Sequence, residues 1–425
     1  MPLQHQYNSM SDQPLDFYSL MGLINILETE EMRALRHTQT TEIKRLINVY
    51  PATQQLFRPR LIRRIMSFYW KSPFSIAMLG YMEKFEKYLL SLGKREHFIH
   101  QFEVMLIGLN LLHLFRSRIS NLSTGYNFGF NDWQEIYYTW SLAAMGHDFG
   151  YPYEVASEML EQIAGLYDNV HMEKLAGLIH GILKQPNLSK EFDLLKFIPK
   201  TNNSKLTKTF FDIQYFIKTV IKEDLNIDES EINKFENKLI FGANVSYCGP
   251  FKPSHGYVSS LILCHTILNN YFSGPGEKLI DDFIDSPSYK MLRYAASAIC
   301  THNLVAPENK KINFQNNPYS FILYILDKLH DWNRTIFEDP KWPIYYLVGF
   351  EKNENSIILK YHLYDQQWNS EMVERVKKAL EEKKDELQSI NNGPNPSLSL
   401  QIVINYTFSA NEHKMPQDYK IVIRL

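Results

Sequence analysis

The strongest constraint on how this chain folds is a set of ligand-type side chains embedded in helix-length apolar segments. His100 opens the run HQFEVMLIGLNLL, and the pair His147-Asp148 closes a helical stretch ending in Ala143-Ala144-Met145-Gly146. His255 opens HGYVSSLILCHTIL, His302 closes YAASAICTHN, and Asp327 sits within FILYILDKLHDW. A carboxylate or imidazole carried into such surroundings is costly unless it is paired, hydrogen-bonded or metal-bound. Taken singly, each has an ordinary explanation as a hydrogen-bonded core residue or an ion-pair partner. Five helices that each contribute one are more economically explained by convergence on a shared centre. Imidazole nitrogen together with carboxylate oxygen suits a divalent cation.

The rest of the chain is organised around these helices. Apolar residues at helical spacing predict helices over 29–49, through 60–92, and over 95–118, 133–147, 154–185, 255–272, 285–302 and 317–336. Asp132, at the end of the Asn- and Gly-rich loop NLSTGYNFGFND, is a good N-cap for the helix that leads into His147-Asp148. Between 186 and 245 the composition shifts to Lys, Asn, Asp and Glu, which reads as a partly helical insertion. From Trp342 the pattern changes to alternation. Strands are expected at 344–350, 356–364, 398–409 and 419–425, with a charged helix at 370–390, giving a β-β-α-β-β unit. The expected division is therefore an N-terminal helical extension over 1–94, a helical body over 95–340 with an insertion at about 153–250, and a small α+β domain over 341–425.

Composition narrows the function. Of 425 residues, 44% are hydrophobic and 22% charged, with a net charge of −2, so no global basic field advertises nucleic acid or an anionic membrane. The three cysteines, Cys248, Cys264 and Cys300, form no C-x-x-C pair, which argues against a disulfide framework and a thiolate zinc site. No secretory leader pattern opens the sequence and no 18-residue apolar run suggests a membrane span, so a cytoplasmic location is expected. Aromatic residues make up 14%, compatible with a base-stacking pocket but more commonly a core feature. No Walker A loop, G-x-G-x-x-G turn or G-x-S-x-G elbow occurs.

The order His100, His147-Asp148, His255, His302, Asp327 resembles the HD superfamily of metal-dependent phosphohydrolases, in the form that holds two metals. The resemblance spans residues 95–335. His100 precedes Val104 and Gly108 as in the first helix of that family, and SFILYILDKLHDWNR is similar to its last. His97, one turn earlier, is the rival to His100. Two residues after the pair, where family members often carry Lys, this chain has Gly150. The segment INVYPATQQLF faintly resembles a stretch that precedes the first His in deoxynucleotide triphosphohydrolases of the same superfamily.

The resemblance implies a mainly α, HD-type helical domain with the small α+β domain appended. It implies one or two divalent ions, drawn from Mn, Fe, Co, Ni, Zn or Mg. His100, His147, Asp148 and Asp327 would hold one; His255 and His302 would hold a second, with Asp148 bridging. Asp148, His255 and His302 would carry the catalytic role. The activity implied is hydrolysis of a phosphoester or phosphoanhydride bond, most simply of a nucleotide. A mixed-valent di-iron oxygenase and a non-catalytic nucleotide sensor are the alternatives left open. Arg293, Lys328 and Arg334, on or beside the ligand-bearing helices, are candidate phosphate contacts, with solvated charge or salt bridging as the competing explanation. Lys94, Arg95 and His97, just before the first ligand, are further candidates of the same kind. The C-terminal domain has no catalytic signature, and self-association through its strands is the expectation.

Overall fold

The computed structural model describes residues 45–46, 49, 57–70, 79–80, 82–84, 86, 97–116, 128–130, 132–151, 196–197, 210–234, 254–272, 279–304, 311–330, 344–352, 356–364, 370–388, 390, 401–408 and 418–424. In chain order the helices are α1 (Arg58–Trp70), α2 (Phe98–Arg116), α3 (Trp133–Gly146), α4 (Ile213–Leu225), α5 (His255–Phe272), α6 (Ile280–Ile284), α7 (Pro287–Thr301), α8 (Pro318–His330) and α9 (Ser370–Gln388). The strands are β1 (Lys196–Phe197), β2 (Phe211–Asp212), β3 (Ile344–Lys352), β4 (Ser356–Tyr364), β5 (Gln401–Phe408) and β6 (Asp418–Arg424). The described residues are thus mainly helical with one four-stranded sheet toward the C-terminus, as expected. Apart from residues 45, 46 and 49, which are helical, the expected helix at 29–49 lies outside the described residues, as do that at 154–185 and most of the expected insertion.

The chain divides into two compact units, one formed by Met1–Ser141 with Val305–Leu425, the other by Leu142–Leu304. The division falls inside α3, and the C-terminal β-β-α-β-β segment belongs to the same unit as α1 and α2.

In the first unit, α2 is apolar on all sides and is accordingly buried from Phe98 to Leu112 apart from Glu103. It is the one described helix long and apolar enough to cross a membrane, and it is mostly buried inside the protein. Its close approach to α3 depends on Gly108. A Cβ there would lie 1.9 Å from Cζ2 of Trp140, whose indole N–H donates to the Met105 carbonyl at 2.9 Å. Aromatic edges fill the space beyond, with Phe314 against Phe115, Phe128 and Phe321.

The sheet has strand order β3-β4-β5-β6, two antiparallel hairpins joined by a parallel β4–β5 pair. Parallel neighbours cannot be joined by a tight turn, and α9 supplies the crossover. Register places Ile357, Ile402 and Ile423 in one buried row and Leu359, Ile404 and Ile421 in the next. The helix offers Leu380, Lys383 and Leu387 as its buried face, spaced for one side of a helix.

In the second unit, α5 packs along α7, and both contact α4. α4 is capped at its start by Asp212, which accepts from the Tyr215 backbone N–H at 2.9 Å, and at its end by Asn226 in the left-handed region (φ 50°). α7 starts with Ser286 as N-cap and Pro287 in the first turn. Its Ala295-Ala296-Ser297-Ala298 run leaves no bulk between α7 and α5, so Ser260 of α5 donates to the Ala296 carbonyl at 2.9 Å. The aromatic rings of Phe211, Phe216, Tyr271, Phe272, Phe283 and Tyr289 close the far end of this unit.

Candidate metal centre

In the second unit the turn after α3 and the ends of α5 and α7 come together around Asp148. The turn is closed by Phe149 N–H to Gly146 O at 3.2 Å and Tyr151 N–H to Asp148 O at 3.0 Å. It is fastened to α5 by Gly150, whose N–H donates to Ser259 Oγ at 2.7 Å. A Cβ at position 150 would stand 2.4 Å from the His255 carbonyl oxygen and 2.8 Å from the Ser259 nitrogen. No side chain fits there, which explains why a Lys-like residue is absent two places after the pair. Gly256 plays the matching part between the helices, since a Cβ there would meet the Ile299 carbonyl at 2.7 Å. These two approaches set His255, His302 and Asp148 side by side.

Asp148 is 3% exposed and its two carboxylate oxygens divide the imidazoles between them. Oδ2 faces His147 Nε2 at 3.5 Å, while Oδ1 faces His255 Nε2 at 3.3 Å and His302 Nε2 at 3.8 Å. The two latter nitrogens lie 3.2 Å apart. A triangle with sides of 3.2, 3.3 and 3.8 Å has a circumscribed radius of about 2.0 Å, which matches the roughly 2.0–2.2 Å bonds that imidazole nitrogen and carboxylate oxygen make to zinc. The residues present therefore fit a divalent cation.

The tautomers strengthen that fit. His147 Nδ1 lies 2.7 Å from the Ala144 carbonyl, and His302 Nδ1 is bonded to the Ile299 carbonyl. A carbonyl oxygen only accepts, so each Nδ1 carries the proton and, in the neutral ring, each Nε2 turns a lone pair toward Asp148. Lone pairs set against a buried carboxylate repel it unless a cation lies between them. Protonating every ring instead would set two buried imidazolium charges and a third, partly exposed one against a single carboxylate, itself costly. Both bonds reach three residues back into the last turn of a helix, where carbonyls have no helical partner. An imidazole oriented through its second nitrogen by a backbone carbonyl is the usual arrangement of a metal-ligating histidine.

His255 differs. It opens α5, is partly exposed, and meets Asn303, whose side-chain nitrogen lies 3.2 Å from Nδ1 and also contacts Nε2. The Tyr151 ring stands edge-on to it at 6.0 Å between centroids. Behind the group, burial pushes the Cys300 thiol up to about 12 and raises that of Cys264, so both stay protonated and neither offers a thiolate.

The first unit holds a second pairing of candidate ligands. His100 on α2, fully buried, meets Asp327 on α8, with Nε2 and Oδ1 2.9 Å apart. Of the two rival histidines, His100 is thus the one joined to Asp327. The backbone N–H of His97 instead donates to buried Glu86 at 2.9 Å. Glu86 also accepts from Ile99 at 3.4 Å, capping the start of α2 from a distant segment.

The candidate phosphate contacts are placed otherwise. Arg293 pairs with Glu223 at 2.8 Å and with buried Asp224 at 3.7 Å, and lies over the Tyr294 ring, tying α7 to α4. Those acidic neighbours hold its guanidinium above the usual arginine range against the opposing effect of burial. Lys328 lies 3.4 Å from Glu386 of α9. Arg334, Lys94 and Arg95 lie outside the described residues, as do Tyr50 to Leu56 of the early segment. Ser259, Gly256 and Asn303 were not singled out by sequence, although Gly256 and Asn303 each directly follow a candidate ligand. Among known proteins, no family model, curated sequence or solved structure matches this chain.

Proposed function

We propose that the protein is a metal-dependent phosphohydrolase whose centre is built on Asp148, His147, His255 and His302. The observation that carries the metal is the pair of histidines whose Nδ1 protons are taken by the Ala144 and Ile299 carbonyls while their Nε2 atoms face one buried carboxylate. The phosphohydrolase reading rests on the order of the candidate ligands along the chain, which resembles that of the HD superfamily.

In this reading Asp148 would supply carboxylate oxygen to the cation and neutralise part of its charge. His147 and His302 present preformed lone pairs, because their orienting bonds are made by backbone that folding has already fixed. The burial of His147, His302 and Asp148 keeps water from most of their surface and the electrostatics strong. A divalent cation held there supplies a water of lowered pKa and a counter-charge for phosphate oxygens. A nucleotide is the substrate class we favour.

The test is a screen of nucleoside mono-, di-, tri- and cyclic phosphates with protein reconstituted in turn with Mn, Fe, Co, Ni or Zn. Phosphate release by the wild type that vanishes in Asp148→Ala is the expected outcome. Turnover that survives in Asp148→Ala rejects the assignment. Oxygen consumption by iron-loaded protein without phosphate release would point to oxidative chemistry instead.

A further inference from the structure

The candidate ligands around Asp148 are unequally covered. The side chains of His147, His302 and Asp148 keep 0%, 1% and 4% of their surface open, whereas His255 keeps 19%. A molecule approaching a cation held among them meets the His255 side first. Two partly exposed residues flank that side. The Tyr151 ring stands edge-on to His255, and the side-chain amide of Asn303 lies against the imidazole, nearer to Nε2 than to Nδ1. That Nε2 is the nitrogen that also faces Asp148 Oδ1 at 3.3 Å and His302 Nε2 at 3.2 Å. The amide thus stands at the rim of the triangle that fits a cation. It is held there by the turn after α7, closed by the Leu304 N–H donating to the Thr301 carbonyl at 3.2 Å. Once Nε2 gives its lone pair to a cation, it can neither donate to this amide nor accept from it. The NH2 end of the amide carries two donors, and the charged oxygens of a phosphate accept. Donors fixed beside a cation in a site shielded from water act most strongly where negative charge gathers.

We propose that Asn303 is a substrate-binding residue of this centre, its amide donating to an oxygen of the phosphate group that reaches the cation across His255. The inference rests on the metal-dependent phosphohydrolase reading above and names the side chain that would hold the substrate there. Sequence placed that contact on basic residues, but Arg293 is engaged with Glu223 and Asp224, and Lys328 with Glu386. A neutral amide has a further merit at this place, since it adds no charge to oppose the cation. The sequence His302-Asn303 then has a joint sense, one residue serving the cation and the next the oxygen brought to it.

The test uses full-length protein stripped of metal, reloaded with Co2+ alone and freed of excess cobalt. Calorimetry reads the cobalt affinity, and inorganic phosphate is then titrated against the visible absorption of the bound cobalt. Asn303→Ala is expected to keep its cobalt affinity within a few-fold of wild type. Its phosphate binding should weaken by about 10–100-fold, the worth of one hydrogen bond to a charged group. Asn303→Asp keeps the shape but sets a carboxylate against the phosphate. It is expected to hold cobalt at least as tightly as wild type and to bind phosphate more weakly than Asn303→Ala does. A merely structural role would move both affinities together. Wild-type phosphate affinity in Asn303→Ala overturns the proposal, as does a loss of cobalt that matches the loss of phosphate. Phosphate binding by Asn303→Asp equal to wild type overturns it too. A wild type that binds cobalt but no phosphate rejects the phosphohydrolase reading along with the proposal, and one that binds no cobalt rejects the metal-binding reading beneath both.

Discussion

At the scale of single residues, His147 and His302 owe their chemistry to position. Each sits just past the end of a helix, where a carbonyl three residues back lacks a helical partner and takes the Nδ1 proton. The sequence shows each histidine closing an apolar helix, but no pattern of residue types reveals which ring nitrogen is left facing inward. The titration of Cys264 and Cys300 is governed mainly by burial. The neutral thiol of Cys300 is favoured by folding, so that contribution to stability is complete below the ordinary thiol range and is lost as pH climbs toward about 12, and Cys264 is shifted in the same direction. Near pH 8.5, about the ordinary pKa of a free thiol, iodoacetamide should leave Cys264 and Cys300 unmodified in the native protein and label both after unfolding. Mass-spectrometric mapping that finds either labelled in the folded chain contradicts the burial described.

Between elements, the decisive contacts are those that glycine permits. The turn 147–150 reaches α5 because Gly150 has no Cβ to meet the His255 carbonyl. Gly150→Ala should lower stability by about 1–3 kcal/mol, the range for forced overpacking, read as a shift in the denaturant midpoint, and it should weaken metal retention in parallel. An unchanged midpoint would show that the turn can move away from α5. Helix and strand positions were largely legible in advance: α5 spans the expected 255–272, and the β-β-α-β-β order follows the alternation after Trp342. What sequence could not supply was the pairing of elements. That α7 lies on α5 follows from Gly256 leaving room for the Ile299 carbonyl and from the small run at 295–298, where Ser260 reaches the Ala296 carbonyl, a match between two surfaces that periodicity in either helix leaves open. The same limit explains Arg293, whose place on a ligand-bearing helix suggested phosphate. Its side chain points instead toward Glu223 and Asp224.

For the whole molecule, the candidate ligands were found because burying charge is costly and six such residues stood in apolar runs. The structure groups four of them, His147, Asp148, His255 and His302, within the second unit, and pairs the other two, His100 and Asp327, within the first. The most direct measurement is the metal content of purified full-length protein by mass spectrometry, for the wild type and for Asp148→Ala and His302→Ala variants that keep the wild-type circular dichroism. The account predicts at least one equivalent of a divalent transition metal per wild-type chain, resistant to dialysis, and its loss from both variants. A wild type that holds no metal after reconstitution, or variants that hold as much as the wild type, would contradict it.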